Sequence, residues 1–210
     1  IRYLPNWAED NFLTKKIDVN KYSLLMPDGF KIMFAGNIGS GQDIPSIIKA
    51  AQILKQYHQI KFIVLGDGSE KEYLLKKINE LDLSDTICYL GSYPLEEMPN
   101  FYYHADMMLL TLRDELIYSY TVPGKLQGYL ASKKPVAAMI NGEAADIVKR
   151  SKCGIVVNAE DYKSFAEEIL EISKMPRSYL DEMGQNGYAY YGKTFIKKNI
   201  IDSLLNSINN

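Results

Sequence analysis

The chain has 210 residues, of which 47% are apolar and 24% charged, and its 24 basic and 26 acidic residues give a formal net charge of -2. This composition is typical of a folded globular domain and excludes fibrous and disordered chains. A nearly neutral chain does not offer the bulk positive charge on which many nucleic-acid surfaces depend. We therefore expect one large domain that does not bind nucleic acid.

The two cysteines, Cys88 and Cys153, lie in apolar strand-like runs without the Cys/His spacing of a metal site. We expect buried free thiols in a reducing compartment and no bound metal. No run approaches the about 18 apolar residues that a membrane-spanning helix needs, and no signal peptide is visible. Because the first residue is Ile1 rather than Met, we expect a cytoplasmic piece of a longer protein, with membrane association only at full length.

Short apolar runs alternate with amphipathic segments along most of the chain. The first run, Lys31 to Ala35, predicts a buried strand, and apolar residues at helical spacing from Ile44 to Leu54 predict the helix that follows. The same alternation continues through further predicted strands at 62–65, 87–90, 107–112, 136–139 and 155–157. It predicts an α/β fold, a Rossmann-like doubly wound parallel sheet with helices on both faces.

Both ends of the chain depart from this alternation. Residues 1–30 hold Pro5 and Pro27 among scattered charges, which predicts a connector that leads into the first strand. After Asp161 only helical patterning remains, and we expect these extra C-terminal helices to pack outside the sheet.

The loops that follow the strands are the candidate site, because ligands of open parallel sheets bind beyond the carboxyl ends of the strands. The segment Gly36-Asn37-Ile38-Gly39-Ser40-Gly41-Gln42 follows the first strand. Its glycines allow close approach of the backbone, and the next helix start offers free N–H groups to a phosphate. The glycine spacing matches neither a dinucleotide fingerprint nor a Walker loop, which disfavours an NAD-dependent oxidoreductase. A glycine-rich turn without a ligand is the alternative.

Two other loops carry weaker signals. Gly66-Asp67-Gly68-Ser69 follows the second predicted strand and is also compatible with a plain turn and helix cap. Gly91-Ser92-Tyr93-Pro94 closes the third strand, and there the ring of Tyr93 can lie against a flat base or fill the gap beside Pro94.

The segment from Tyr120 to Ala131 opens a predicted helix with a lysine in its first turn. Thr121 is the predicted N-cap, Pro123 suits the first turn, and Gly124 leaves room for a ligand. The helix dipole disfavours a cation at Lys125. A bound anion such as a diphosphate would reverse that penalty, so we predict an anion site here. An exposed lysine that tolerates the penalty is the alternative.

Five segments carry a resemblance when taken in order: LPNWAE (Leu4 to Glu9), FAGNIGSGQDI (Phe34 to Ile44), VLGDGSE (Val64 to Glu70), TVPGKLQGYLASKKPVAAMINGE (Thr121 to Glu143) and CGIVVNAED (Cys153 to Asp161). Together they resemble the C-terminal, nucleotide-sugar-binding half of family 4 (group 1) glycosyltransferases of the GT-B fold. The resemblance is greatest to bacterial enzymes that build capsule or O-antigen from UDP-linked N-acetylated sugars.

This resemblance implies a UDP-sugar donor, a saccharide or lipid-linked acceptor, retention at the anomeric carbon, and no cofactor or essential metal. It implies a diphosphate near the first loop, uracil near Tyr93, phosphate and ribose at Gly124, Lys125 and Gln127, and the donor sugar near Glu143. A solvated acid at the helix start is the alternative for Glu143. Lys125 is the implied catalytic cation, and the implied donor-binding residues are Gly36, Asn37, Ile38, Gly39, Gln42, Gly66, Asp67, Gly68, Tyr93, Thr121, Val122, Pro123, Gly124, Gln127 and Glu143.

The resemblance also implies a division of the chain. Residues 1–30 would be an interdomain connector, 31–193 the nucleotide-sugar-binding domain, and 194–210 a helix that returns toward an N-terminal domain absent from this sequence. The acceptor would bind to that N-terminal domain. We therefore expect the 210 residues to bind UDP or a UDP-sugar without transferring the sugar.

The sequence departs from the family pattern at two acidic positions. The wider family pairs two glutamates, one at the donor sugar and one at the ribose, and these positions fall at Tyr120 and Gly128. Their loss favours a non-catalytic nucleotide-sugar-binding domain as one alternative. A GT-B sugar-nucleotide epimerase is another, but neither His58 nor His104 falls on a predicted cleft loop to act as acid or base.

Overall fold

A computed structural model describes residues 5–9 and 11–208 of the chain. Residues 1–4 and 10 of the predicted connector, Leu4 of the first motif among them, and residues 209–210 of the predicted C-terminal helix lie outside the described residues. The core is a six-stranded parallel sheet in the order β3-β2-β1-β4-β5-β6. The strands are β1 (Phe30–Ala35), β2 (Ile60–Leu65), β3 (Ile87–Gly91), β4 (Met107–Thr111), β5 (Val136–Met139) and β6 (Gly154–Val157).

Helices cover both faces of this sheet, which confirms the predicted doubly wound α/β fold. Helices α4, α6 and α7 share one buried apolar cluster with the sheet, α2, α3 and α8 share the other, and α9 contributes to both. The helices are α1 (Asn11–Thr14), α2 (Ile44–Leu54), α3 (Lys71–Glu80), α4 (Met98–His104), α5 (Leu116–Ser119), α6 (Gly124–Ala131), α7 (Glu143–Ser151), α8 (Tyr162–Ile172), α9 (Arg177–Thr194) and α10 (Lys197–Ile208).

The central strands are continuous apolar runs because helices bury both of their faces. All the side chains of β1 from Ile32 to Ala35 are buried, and β1 pairs in register with β2 from Phe30↔Ile60 onward. The other neighbour of β1 is β4, so the order of the strands reverses between β1 and β4. In doubly wound sheets this reversal opens a crevice at the carboxyl ends of the strands.

The segment from α1 to β1 packs on α4. Phe12 of α1 stacks on Tyr102, with ring centroids 5.3 Å apart, and Tyr22 stacks on Phe101 at 4.0 Å. The carboxylate of Glu97, just before α4, pairs with Lys21 at 2.8 Å. The described part of the predicted connector is therefore anchored beside the carboxyl ends of the strands. The division of the chain at residues 30 and 193 stays a prediction.

The last three helices pack outside the sheet, as predicted. Helix α9 crosses α6 closely, because Gly187 lies against Leu130 and Cys153. Cys153 is buried as expected, whereas Cys88 is only half-buried because β3 is an edge strand of the sheet; both are free thiols. Within residues 5–9 and 11–208, no helix combines the length and the apolarity that crossing a bilayer requires.

Candidate functional site

A cavity of about 710 Å³ lies beyond the carboxyl ends of β1, β2 and β3, next to the reversal of strand order. Its lining comes from the loops after these strands, the first two turns of α6, the helices α1 and α4, and the segment before α1. Sequence analysis predicted part of this lining, namely Gly36, Asn37, Gly66, Asp67, Tyr93, Gly124 and Lys125.

The loops after β1 and β2 are locked together at the floor of the cavity. Gly36 and Gly66 have φ angles of 139° and 137°, which L side chains rarely adopt. A Cβ atom on Gly66 would collide with the carbonyl oxygen of Gly36. Ile38 N donates to Asp67 O at 2.8 Å, so the two loops also share a backbone hydrogen bond. These glycines are needed for the contact between the loops as well as for the approach of a ligand.

The ammonium group of Lys125 extends from the first turn of α6 toward the loop after β1. It donates a hydrogen bond to Gln42 Oε1 and lies 4.0 Å from the centroid of the Phe34 ring. None of the carboxylates in the described residues pairs with it. Burial lowers the pKa of Lys125 to about 7. The alternative of an exposed lysine is therefore wrong: the side chain is partly buried, faces the cavity and has no counter-ion among the residues that the structure describes.

The start of α6 differs from the sequence prediction. Pro123, not Thr121, is the N-cap residue, and no side chain caps the helix. The hydroxyl of Thr121 instead donates to Ile117 O at 2.7 Å, because the short helix α5 ends just before it. The N–H group of Leu126 donates to Pro123 O at 2.9 Å, and those of Gly124 and Lys125 remain available to a ligand. A Cβ on Gly124 would meet no atom within 4 Å, so this end of the helix opens into free space.

Several predicted donor-binding residues support the cavity from behind. Ile38 is fully buried in the core. Gln127 is also buried, and with its amide oriented to suit its neighbours it donates to the carbonyl oxygens of Pro123 and Gly124 at 2.9 Å each. A Cβ on Gly39 or on Gly68 would press against the Asn37 side chain, so these two glycines shape the position of that residue.

Thr121, Val122, Pro123 and Glu143 are likewise absent from the cavity lining. Glu143 begins α7, and its carboxylate pairs with Arg150 at 2.6 Å on the surface. This position agrees with the alternative of a solvated acid at a helix start.

An aromatic wall of the cavity, formed by Trp7, Phe12, Tyr93 and Tyr102, was predicted only at Tyr93. Trp7 and Phe12 come from the segment before β1, and Tyr102 comes from α4. Trp7 belongs to the LPNWAE motif, so the sequence contains a signal that this residue takes part in the site. Tyr102 follows Met98 at helical spacing, and such a pattern is the same in a helix that only contributes to a core.

The positions of the two missing glutamates have different surroundings. At the first, Tyr120 is 79% exposed at the end of α5. At the second, Gly128 lies under the ring of Phe12, and a Cβ there would be 3.2 Å from Phe12 Cε2 and Cζ. The aromatic ring therefore occupies the space in front of Gly128.

Neither histidine lines the cavity. The ring of His104 ends α4, where Nε2 lies 2.9 Å from Lys21 O. Among the described residues there is also no group of three or more His, Cys, Asp and Glu side chains arranged to hold a metal ion.

Comparison with known proteins gives matches over most of the chain. The family model described as "Glycosyl transferases group 1" matches residues 18–190. The "Probable glycosyltransferase WbjE" of Pseudomonas aeruginosa is 27% identical over 183 residues, which are 85% of this chain and 45% of that protein. The chain thus spans less than half the length of the curated relatives it matches.

Two solved structures illustrate the shared fold. The C-terminal domain of the group 1 family protein LpcC from Francisella tularensis has a TM-score of 0.69 at 20% identity, over 90% of this chain and 100% of that one. The pneumococcal O-GlcNAc transferase GtfA, solved in complex with UDP and GlcNAc, has a TM-score of 0.71 at 17% identity, over 92% of this chain and 38% of that one. At these identities the likeness concerns the fold alone.

Proposed function

Because the chain belongs to the group 1 glycosyltransferases, we propose that its cavity binds a UDP-sugar and that the whole protein transfers the sugar to an acceptor. The observation that carries this proposal is the ammonium of Lys125. It is partly buried at a helix start, faces the cavity and has no carboxylate partner in the described chain. A diphosphate would supply the missing negative charge and would also bond to the free N–H groups of α6.

The rest of the cavity suits the other parts of such a donor. Tyr93, Leu95 and Met98 form an apolar surface on the side of β3 and α4, where a flat uracil ring could stack. Gly36 and Gly66 present backbone instead of side chains near Lys125, as close approach of a phosphate requires. The base would lie against α4 and the diphosphate against α6.

In the transfer step, the bond between the anomeric carbon and the β-phosphate oxygen breaks, and its electron pair leaves with UDP. The oxygen of an acceptor hydroxyl bonds to the anomeric carbon, and the proton of that hydroxyl leaves with the diphosphate. Negative charge grows on the departing diphosphate, so cations and helix N-termini already in place there lower the barrier. Lys125 and the start of α6 would supply this stabilisation.

The proposal extends to an N-acetylated donor sugar. GtfA is an O-GlcNAc transferase solved with UDP and GlcNAc, and the GNIG and TVPGK motifs of this chain resemble those of enzymes that use N-acetylated sugars. Saturation-transfer NMR with a panel of UDP-sugars tests this point. We expect UDP-N-acetylhexosamines to bind more tightly than UDP-glucose, and the reverse order would contradict this part of the proposal.

The acceptor would be a surface polysaccharide or a lipid-linked saccharide, handled at the cytoplasmic side of the membrane by residues beyond these 210. Support comes from the motif resemblance and from relatives of which this chain matches less than half the length. Retention at the anomeric carbon and turnover without an essential metal belong to the same proposal. Assays of the full-length protein with and without EDTA, with NMR of the product anomer, test both points. Absence of any turnover there would favour a non-catalytic binding domain.

Calorimetry with UDP tests donor binding directly. We expect wild type to bind UDP and Lys125→Ala to lose about 10–100-fold in affinity, as for the loss of a charge-assisted hydrogen bond. Lys149→Ala is the matched control, because Lys149 is an exposed lysine on α7 away from the cavity. Unchanged affinity in Lys125→Ala, or no binding of UDP by wild type, would refute the proposed site.

A further inference from the structure

The hydroxyl group of Tyr102 reaches the cavity without a partner. Tyr102 lines the cavity, and only 4% of the residue is accessible. Within the described part of the chain its hydroxyl makes no hydrogen bond. Two other unpaired polar atoms there, Asp43 Oδ2 and Ser132 Oγ, are fully inaccessible to solvent, and the Tyr102 oxygen does not belong with them. The small accessible part of the side chain therefore includes the hydroxyl oxygen. Because the rest of the residue is buried, this hydroxyl opens only to the cavity, and a water or a ligand group bound there is the hydrogen-bond partner available to it.

The ring that carries this hydroxyl is held on two sides. Phe12 stacks on it with 22° between the ring planes, and Tyr129 meets it edge-on with centroids 5.5 Å apart. The Tyr129 hydroxyl, by contrast, is satisfied by the carbonyl oxygens of Ala35 and Leu109, at 3.4 and 3.3 Å. Burial raises the pKa of Tyr102 well above its usual value, so the hydroxyl remains protonated and can donate.

Tyr102 also lies between the two chemically distinct parts of the cavity. On α4 it follows Met98 by one turn, so it shares the face that borders the apolar part. Its stacking partner Phe12 covers Gly128, which lies three residues after Lys125 on α6 and so borders the cationic part. In a nucleoside diphosphate, the group that joins the base to the phosphates is the ribose.

We propose that the Tyr102 hydroxyl hydrogen-bonds a ribose hydroxyl of the bound nucleotide, which makes Tyr102 a residue that selects ribonucleotides over their deoxy analogues. The inference rests on the proposed function, because it needs a uridine nucleotide in this cavity. Phe12 acts as a positioning residue: it holds the Tyr102 ring and is itself accommodated because residue 128 is a glycine.

Calorimetry with UDP, 2′-deoxy-UDP and 3′-deoxy-UDP tests this inference. We expect wild type to bind UDP about 3–10-fold more tightly than at least one deoxy analogue, the usual effect of one neutral hydrogen bond. Tyr102→Phe keeps the ring and the packing but should lose the same factor for UDP and no longer discriminate. Tyr103→Phe is the control, because Tyr103 is the next residue on α4 and is exposed. Thermal unfolding checks that both variants are folded.

The outcomes separate this inference from the proposed function. If wild type binds UDP but binds both deoxy analogues equally well, the inference is refuted without the need for any variant. It is also refuted if Tyr102→Phe leaves UDP affinity unchanged or weakens all three nucleotides by the same factor. If folded wild type binds none of the three, the proposed function fails together with the inference.

Discussion

The ammonium of Lys125 lies 4.0 Å from the centroid of the Phe34 ring, so α6 places a cation on a fully buried side chain of β1. The aromatic face and the amide oxygen of Gln42 are its partners in the free protein. Both are neutral, and the pKa of Lys125 falls to about 7 because burial penalises the charged form. A bound diphosphate would raise that pKa again, which links ligand binding to protonation.

The first prediction is that UDP affinity falls as the pH rises from 7 to 9. Above pH 7 the free protein loses the Lys125 proton while the UDP complex keeps it, so binding must take up a proton. The apparent affinity should fall by at most about tenfold per pH unit. Calorimetry in buffers of different ionisation enthalpy measures the proton uptake. Lys125→Met should bind weakly with no pH dependence in this range, and a similar slope in that variant would assign the proton to another group.

A second prediction concerns stability without ligand. The folded pKa of Lys125, about 7, lies below the value of about 10.4 expected in an unfolded chain, so its charge opposes folding at neutral pH. Lys125→Met should therefore raise the Tm of the ligand-free protein at pH 7. In a domain of this size 1 kcal/mol of stability corresponds to about 2–4 °C in Tm, and we expect at least this increase. The gain should shrink as the pH rises from 7 to 10. A lower Tm in this variant would show that the contacts of the lysine outweigh its desolvation.

A third prediction concerns the two loops at the floor of the cavity. Gly66→Ala would place a Cβ against the Gly36 carbonyl oxygen at a φ of 137°, so the β1 and β2 loops must separate. We expect a loss of about 2 kcal/mol or more in unfolding free energy and no detectable UDP binding. Gly192→Ala is the control, because this glycine lies within α9 with no atom near its Cβ. The control should raise stability by about 0.5–1 kcal/mol. Equal effects of the two substitutions would contradict the packing argument.

Sequence reasoning located the loops at the carboxyl ends of the strands because both signals involved are local. Apolar runs identify strands, and a parallel sheet brings the ends of its strands to one edge. Gly36 and Gly66 follow from that argument, and Lys125 follows from its unfavourable place in the first turn of a predicted helix. Thr121 was wrong as the N-cap because α5, a helix of four residues with no clear pattern, takes its hydroxyl.

The aromatic wall illustrates what local patterns leave out. Phe12 borders the cavity only because its segment folds back over α4, and this depends on contacts between residues about 80–90 positions apart, such as Phe12 with Tyr102. Tyr102 itself has the spacing of a core residue, and it is distinguished by its place on the cavity wall and by a hydroxyl that makes no hydrogen bond within the described chain. A sequence pattern does not report hydrogen-bond satisfaction.

A fourth prediction concerns the attachment of the segment before β1. The carboxylate of Glu97 accepts hydrogen bonds from Tyr22 Oη at 3.1 Å and Asn100 Nδ2 at 3.0 Å, and it pairs with Lys15 and Lys21. The Lys21 hydrogen bond is the main cause that lowers the pKa of Glu97 to about 2. Because this pKa is depressed, the stabilisation is present above the unfolded value of about 4.3 and is lost as the pH falls toward 2.

Replacement of that carboxylate should therefore release the segment at neutral pH. In Glu97→Ala we expect faster tryptic cleavage after Lys15 and Lys21 and faster amide exchange over residues 15–25. We also expect weaker UDP binding, because Trp7 and Phe12, which precede this segment, line the cavity. Glu96→Ala is the matched control, because Glu96 is the adjacent acid and its carboxylate makes no ion pair in the described chain. If both variants are cleaved at the wild-type rate, the aromatic contacts of Tyr22 and Phe12 must hold the segment without Glu97, and the double variant with Tyr22→Ala would then become protease-sensitive.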